Sequence, residues 1–411
     1  MPEFLTLLPP KEALDKWFSA FEAGKLENED VQLLQAPGRV TSKPVIAAHD
    51  LPEFHRSAMD GYAVQARDTY GASEGLPSYL NVVGEVPMGA IPAFTLKTNQ
   101  AALIHTGGMI PEGADSVVML ENTQTTRQGE IEVYQPVTAN ENVILKGEDI
   151  HQGQEVIPAG VRLRHAEIGG LAALGFQMVS VAKRPRIGLI SSGDEVIPVD
   201  KTPLPGQVRD VNEYTLSVLI EQKGGIPIHY GIIPDNPEKL RGAINKAILE
   251  NDAVLITAGS SASTRDLTST IIQKAGKPGV LVHGVNVRPG KPTILAVCDS
   301  IPVIGLPGNP VSALVIATLF VSPMIERLMG IKQTRPSGPI SARLKVNISS
   351  MAGREDWIPV KMEELQNEYQ VDPIFFKSNL IFNLASADGL MRIPPAVTGF
   401  SAGEIVNIYP I

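Results

Sequence analysis

A chain of 411 residues has room for two to four domains, and its net charge of −9 argues against a general nucleic-acid surface while leaving a local basic pocket open. Its 37 glycines and 33 prolines imply many short elements and tight turns, because an apolar fraction of 43% is too high for disorder. A single cysteine, Cys298, excludes an internal disulfide and a cysteine-based zinc cluster; no signal peptide and no run of about 18 apolar residues is found, so a soluble, cytoplasmic protein with no membrane span is expected.

Residues 10–23 place Ala13, Trp17, Phe18 and Phe21 on one helical face, with Gly24 as the stop. A second helix is expected over 165–174. Between them, about 46–140, short alternating segments such as Tyr79–Val83 and Glu130–Tyr134 are broken by Gly and Pro, the texture of a β-rich module inserted into another domain. From Arg186 the period changes. Strands at 187–190, 226–232 and 253–257 alternate with helices near 212–223, after Pro237, and at 267–275. Further β segments at 292–297 and 302–306 precede a long apolar helix over 310–329. Strands alternating with helices of 10–15 residues indicate a doubly wound, mainly parallel sheet covered on both faces. Cys298 follows Ile294-Leu295-Ala296-Val297 and reads as a buried strand thiol. Beyond the linker 333–339 the helices disappear, and the alternation of 340–411 predicts a small antiparallel β domain.

In an open α/β sheet, ligands bind at the strand ends. Five acids recur there: Asp194, Glu195, Asp210, Asp235 and Asp266. Taken singly, Asp210, Asp235 and Asp266 read equally well as turn or helix-cap residues. Together they gather carboxylates along one edge, where a hard cation such as Mg2+ finds oxygen ligands. Donors and cations share that edge. Gly259, Ser260, Ser261, Ser263, Thr264 and Arg265 form a hydroxyl-rich loop ahead of a helix. Arg288-Pro289-Gly290-Lys291-Pro292 holds two cations between prolines, and Pro307-Gly308-Asn309-Pro310 opens the long helix. Such loops suit phosphate or another oxyanion. Walker A, GxGxxG and HExxH patterns are absent from the sequence. In the N-terminal half, His55–Val64 and Lys146–Ile150 each set acids among turn residues, readable as turns or as catalytic segments.

Five motifs then occur in order: Ser57-Ala58-Met59-Asp60-Gly61-Tyr62-Ala63, Gly147-Glu148-Asp149-Ile150, Ser192-Gly193-Asp194-Glu195, Pro289-Gly290-Lys291-Pro292 and Gly305-Leu306-Pro307-Gly308-Asn309-Pro310-Val311-Ser312. Over nearly the whole chain they resemble the molybdopterin molybdenumtransferase family, MoeA in bacteria and the gephyrin E domain in animals. The resemblance implies four domains: an elongated N-terminal one (1–46 plus 138–182), the β-rich insertion (47–137), the α/β molybdopterin-binding domain (183–332) and a C-terminal β-barrel (333–411). It also implies a homodimer with an active site between the α/β domain of one subunit and the inserted module of the other. The implied reaction inserts molybdate or tungstate into the dithiolene of adenylylated molybdopterin, releasing AMP with the help of Mg2+. A molybdopterin adenylyltransferase or a molybdoenzyme is the implied partner class.

Carried over by position, Asp60, Asp149, Glu195 and Asp266 take catalytic roles, and Glu195, Asp235 and Asp266 hold the metal. Gly193, Asp194, Asp210, Gly259, Ser260, Ser261, Ser263, Arg288, Lys291, Pro307, Gly308, Asn309, Pro310 and Ser378 bind the cofactor. Departures from the family pattern cluster in the 259–267 loop, which lacks two glycines and a tyrosine. Gly284 stands where some members have a lysine, and Pro359 where some have an arginine. Two other readings are a non-catalytic molybdopterin-binding scaffold and a molybdopterin adenylyltransferase. The retained acids disfavour the first, and the N-terminal module and C-terminal barrel disfavour the second.

Overall fold

A computed structural model describes residues 7–24, 26–127, 129–258, 262–332, 338–365, 367–375 and 377–411, with the backbone alone for 262–266. Its first helix, Pro10–Phe18, starts with proline at its favoured position and carries Glu12 and Lys16 at the ends that suit the helix dipole. The helix stops at Phe18, short of the expected end at residue 23. Arg327 explains this: its guanidinium donates to the carbonyls of Phe18 (2.7 Å) and Phe21 (3.0 Å) and lies over both rings. The terminal carbonyls are thus satisfied outside the helix.

Strand Asn28–Gln32 pairs with Met178–Ala182, and Val45–Ile46 with Glu155–Ile157. The two stretches flanking the β-rich region therefore pair with each other. Between them a six-stranded sheet runs in the order Ser116–Met119, Gly61–Val64, Gln100–Ile104, Ser78–Glu85, Glu130–Val133, Thr123–Arg127. Val64, Leu80, Ala101, Val118, Ile131 and Val133 share its core.

The central sheet has six strands in the order Ile226–Ile233, Arg186–Ser192, Ala253–Ala258, Ile301–Pro307, Ile294–Cys298, Pro278–His283. The first four are parallel, and Ile294–Cys298 runs antiparallel to both of its neighbours. Strand Ala253–Ala258 is buried at every position, as a strand covered on both faces must be. Ala253 and Leu255 pack with helices Pro10–Phe18, Asn212–Lys223 and the 310–328 segment. Val254 and Ile256 pack with Pro237–Glu250 and Ala262–Ala275 on the other face. Strand Pro278–His283 escapes sequence reading, because a proline and a glycine interrupt a short run. Asp299 and Ser300, both at positive φ (50° and 76°), make the tight hairpin turn between its neighbour Ile294–Cys298 and Ile301–Pro307. Cys298 is fully buried, and burial pushes its thiol up to about 11.

The helical segment Pro310–Leu328 is long and apolar enough to cross a membrane, yet 67% of that window is buried inside the protein. It is a core element. Its middle turn, Ala317–Val321, is a π-turn. Pro323, which lacks an N–H, stands two residues beyond it, and the wider turn relieves the clash a proline makes with the preceding turn.

In the C-terminal region Glu355–Leu365, Glu368–Pro373, Ile340–Leu344, Ile405–Pro410 and Gly389–Ile393 close on themselves through the pairing of the first with the last. The sheet is not wholly antiparallel as expected: Ile340–Leu344 and Glu368–Pro373 run parallel. A closed ring with an odd number of strands requires at least one parallel pair. A helical turn, Ile381–Ala385, also corrects the expectation that helices disappear.

Candidate active site

The α/β sheet and the barrel are joined where the chemistry was expected. Val287–Arg288 leaves the sheet and pairs in parallel with Glu355–Asp356 of the barrel. The Glu355 N–H donates to Asn286 O (3.2 Å), and Asn286 Nδ2 donates to the Gly353 carbonyl. Behind this seam the buried Glu355 accepts from Trp357 Nε1 (2.7 Å) and Arg392 Nη2 (2.8 Å). A buried carboxylate held by two donors fixes the strand that carries it. Gly290, at φ +119°, is the one residue type that fits its turn, because a Cβ there would collide with Ile316.

A cleft of about 860 Å3 opens at the seam. Arg288, Lys291, Pro307, Gly308, Asn309 and Ser378, all expected at the site, line it. Pro310 stands at the first position of the helix behind them. Ser378 is held twice. Its carbonyl accepts from Val311 N–H (3.1 Å) and its Oγ from Asn309 Nδ2 (3.0 Å). With its oxygen accepting from Asn309, the hydroxyl is left to donate its own proton to a ligand. Among the described residues the one carboxylate on the cleft wall, Asp356, is buried and saturated by Arg354 (2.7 and 3.0 Å) and Ser350 (2.9 Å). Lys377 and Arg354 also line the cleft, and sequence reading did not single them out. The available signal was the charge next to Ser378.

A second group lies at the exits of strands Arg186–Ser192 and Ile226–Ile233. Gly193 has φ +147°, and a Cβ there would sit 2.9 Å from Glu195 Oε2 and 3.0 Å from Val196 Cγ2. Glycine lets the Glu195 carboxylate fold close to the backbone. Asp194 Oδ1 accepts from Asp235 N–H (3.1 Å), and Asp235 Oδ1 accepts from Ser192 Oγ (2.9 Å). Three carboxylates therefore share one edge. Among the described residues, however, no group of three or more His, Cys, Asp or Glu side chains converges as a metal centre. Asp210 is buried and caps the next helix, its Oδ1 accepting from Glu213 N–H (3.1 Å). Its Oδ2 is buried with no partner among the described residues. Gly259, Ser260 and Ser261 lie outside the described residues. Ser263 and Asp266 fall in helix Ala262–Ala275, which starts earlier than the expected 267; their side chains lie outside the description.

Asp60 and Asp149 do not line the cleft. Asp60 Oδ1 accepts from Thr106 N–H (2.7 Å) and Thr106 Oγ1 (3.0 Å), with His105 Nδ1 at 3.8 Å. The Thr106 backbone bond, then its hydroxyl, hold this carboxyl below its usual range. Asp149 is exposed on a turn fixed by its N–H to Leu51 O (3.1 Å).

Comparison with known proteins covers nearly the full chain. Residues 8–175 match the family model "MoeA N-terminal region (domain I and II)", 188–327 match "Probable molybdopterin binding domain", and 341–411 match "MoeA C-terminal region (domain IV)". A molybdopterin molybdenumtransferase of a Nostoc species is 35% identical over 93% of this chain and 88% of its own length. The Bacillus subtilis protein of the same name is 29% identical, covering 99% and 95%. A crystal structure of the molybdopterin biosynthesis MoeA protein of Pyrococcus horikoshii OT3 superposes with a TM-score of 0.85 at 30% identity, covering 99% and 100%.

Proposed function

This chain belongs to the MoeA family and is a transferase of molybdenum cofactor biosynthesis; from that premise we propose that it inserts molybdate, or tungstate, into the dithiolene of adenylylated molybdopterin with release of AMP. The observation that carries this reading is the cleft between sheet and barrel, which Arg288 and Lys291 line together with the ordered hydroxyl of Ser378 and where, among the described residues, the sole wall carboxylate is already neutralised. A doubly charged oxyanion finds cations and an aimed donor there, with no competing anion. An adenylyltransferase would not account for the N-terminal and C-terminal regions that match the family at either end of the α/β domain.

The neighbouring carboxylates take the complementary role. Their donor set is oxygen only, which fits a hard divalent cation such as Mg2+. Glu195 and Asp235 would hold it, with Asp266 as the third carboxylate proposed from the sequence; bound there, the cation offsets the charge of the pyrophosphate. Gly193, Asp194, Asp210, Gly259, Ser260, Ser261 and Ser263 are proposed to cradle the phosphate and pterin parts of the substrate. Asp60 and Asp149, away from the cleft of their own subunit, are proposed to complete the site of a partner in a cytoplasmic homodimer.

The purified chain, given adenylylated molybdopterin, Mg2+ and molybdate or tungstate, should release AMP in an oxyanion-dependent reaction that stops on chelation. Tight binding of the pterin substrate with no AMP released under any oxyanion would refute the transferase reading. Light scattering should give twice the monomer mass at micromolar concentration; a strict monomer would rule out a site completed by Asp60 and Asp149 in trans.

A further inference from the structure

We propose that Lys377, carried by the barrel, is the third cation of the cleft and sets its preference for doubly charged tetrahedral oxyanions. This rests on the oxyanion reading of the cleft given above. The loop carrying Lys377 is pinned at both ends. At its root, Ile374 N–H donates to Pro359 O (2.8 Å) of the barrel strand. At its tip, Ser378 is bound by Val311 N–H and Asn309 Nδ2 of the α/β domain. Lys377 sits beside that tip and lines the same cleft as Arg288 and Lys291.

Charge is the second part of the case. Arg288, Lys291 and Lys377 are all exposed, and none makes an ion pair among the described residues. Arg354, the fourth basic side chain on the wall, is committed to Asp356. The wall therefore presents three uncompensated positive charges together with the donor hydroxyl of Ser378. Like charges held around a concave wall repel one another, and the repulsion is relieved when an anion enters. Two cations balance a dianion. The third makes the wall favour a dianion over a monoanion of the same size, because each added cation gains in proportion to the ligand's charge. Lys377 is also the one cation of the three supplied by the barrel, so the preference depends on the seam that positions it.

The test compares the wild type with Lys377→Met and Lys377→Arg by calorimetric titration of the full-length protein with molybdate, and with perrhenate, a tetrahedral monoanion of similar size. Turnover is measured in parallel. Lys377→Met is expected to weaken molybdate binding and raise its KM about tenfold, to change perrhenate binding by much less, and to leave kcat and the KM for adenylylated molybdopterin nearly unchanged. Lys377→Arg should restore most of the loss. Since the side chain is exposed, Tm should not move. Equal effects on both oxyanions, or unchanged molybdate affinity in Lys377→Met, would overturn the assignment while leaving the transferase reading intact. Absence of oxyanion binding by the wild type would remove the oxyanion reading of the cleft and this inference with it.

Discussion

Replacing Glu195 by Gln is expected to lower the rate of AMP release at least about a hundredfold, the scale on which removal of one electrostatic contact acts in a preorganised site, while Tm stays within about 2 °C. The two halves of this expectation have separate grounds. Glu195 is exposed at the exit of a central strand, and its carboxylate makes no hydrogen bond or ion pair among the described residues. Exposed substitutions of this kind move stability by roughly 0.5 kcal/mol or less. Its neighbours differ: Asp194 and Asp235 bind each other's segment and Ser192, so changing either also disturbs the turn. Gly193 is kept small where the Glu195 carboxylate lies, which gives the acid a position without giving it a structural partner. The amide keeps size and shape and removes only the charge. Adding excess Mg2+ should recover part of the rate if cation affinity is what the charge supplies. A parallel fall in Tm and activity would instead make Glu195 a fold residue.

The same contrast between local and distant contacts explains what the sequence made legible. Helix Asn212–Lys223 and strand Ala253–Ala258 lie close to their expected bounds, since both follow from periodicity within a dozen residues. Arg288, Lys291, Asn309 and Ser378 were expected at one site through resemblance, and they do line one cleft. What stayed hidden depends on residues far away in the chain. The early end of the first helix needs Arg327, some 300 positions later. The parallel pair of the barrel follows from ring closure, which no local window contains. Lys377 became visible only once the loop around Ser378 was seen pinned to Pro359 and Asn309. Asp210 shows the limit in the other direction: its capping contact was open to sequence reasoning, but the buried, unpartnered Oδ2 was not.

Trp17→Ala should be the most destabilising single change outside the site, costing about 3–5 kcal/mol and lowering the midpoint of the α/β transition by roughly 10 °C. Trp17 is fully buried in the same cluster as strand residues Leu255 and Ile304 and helix residues Phe320 and Met324. Its ring meets Phe21 edge-on at 5.3 Å, and its Nε1–H donates to the carbonyl of Ala296 (2.8 Å). That carbonyl is where the sheet needs help. The pairing of Pro278–His283 with Ile294–Cys298 slips between Val280 and Val282, opposite Ala296 and Leu295, and a bulge leaves ladder groups short of partners. The indole thus both fills the core beneath the sheet and satisfies a carbonyl at its irregular edge. Trp17→Phe separates these roles: it keeps most of the aromatic volume and removes only the donor, so its cost should be nearer 1–3 kcal/mol, that of an unsatisfied buried acceptor together with a small void. If both variants unfold at the wild-type temperature, the Pro10–Phe18 helix is an accessory to the sheet. If Trp17→Ala alone falls while Trp17→Phe does not, packing governs and the Ala296 bond is incidental. The same helix caps the sheet edge that leads into Arg288 and Lys291. Trp17→Ala should therefore also raise the KM for molybdate at temperatures below its own transition, a remote effect that an isolated core defect would not produce.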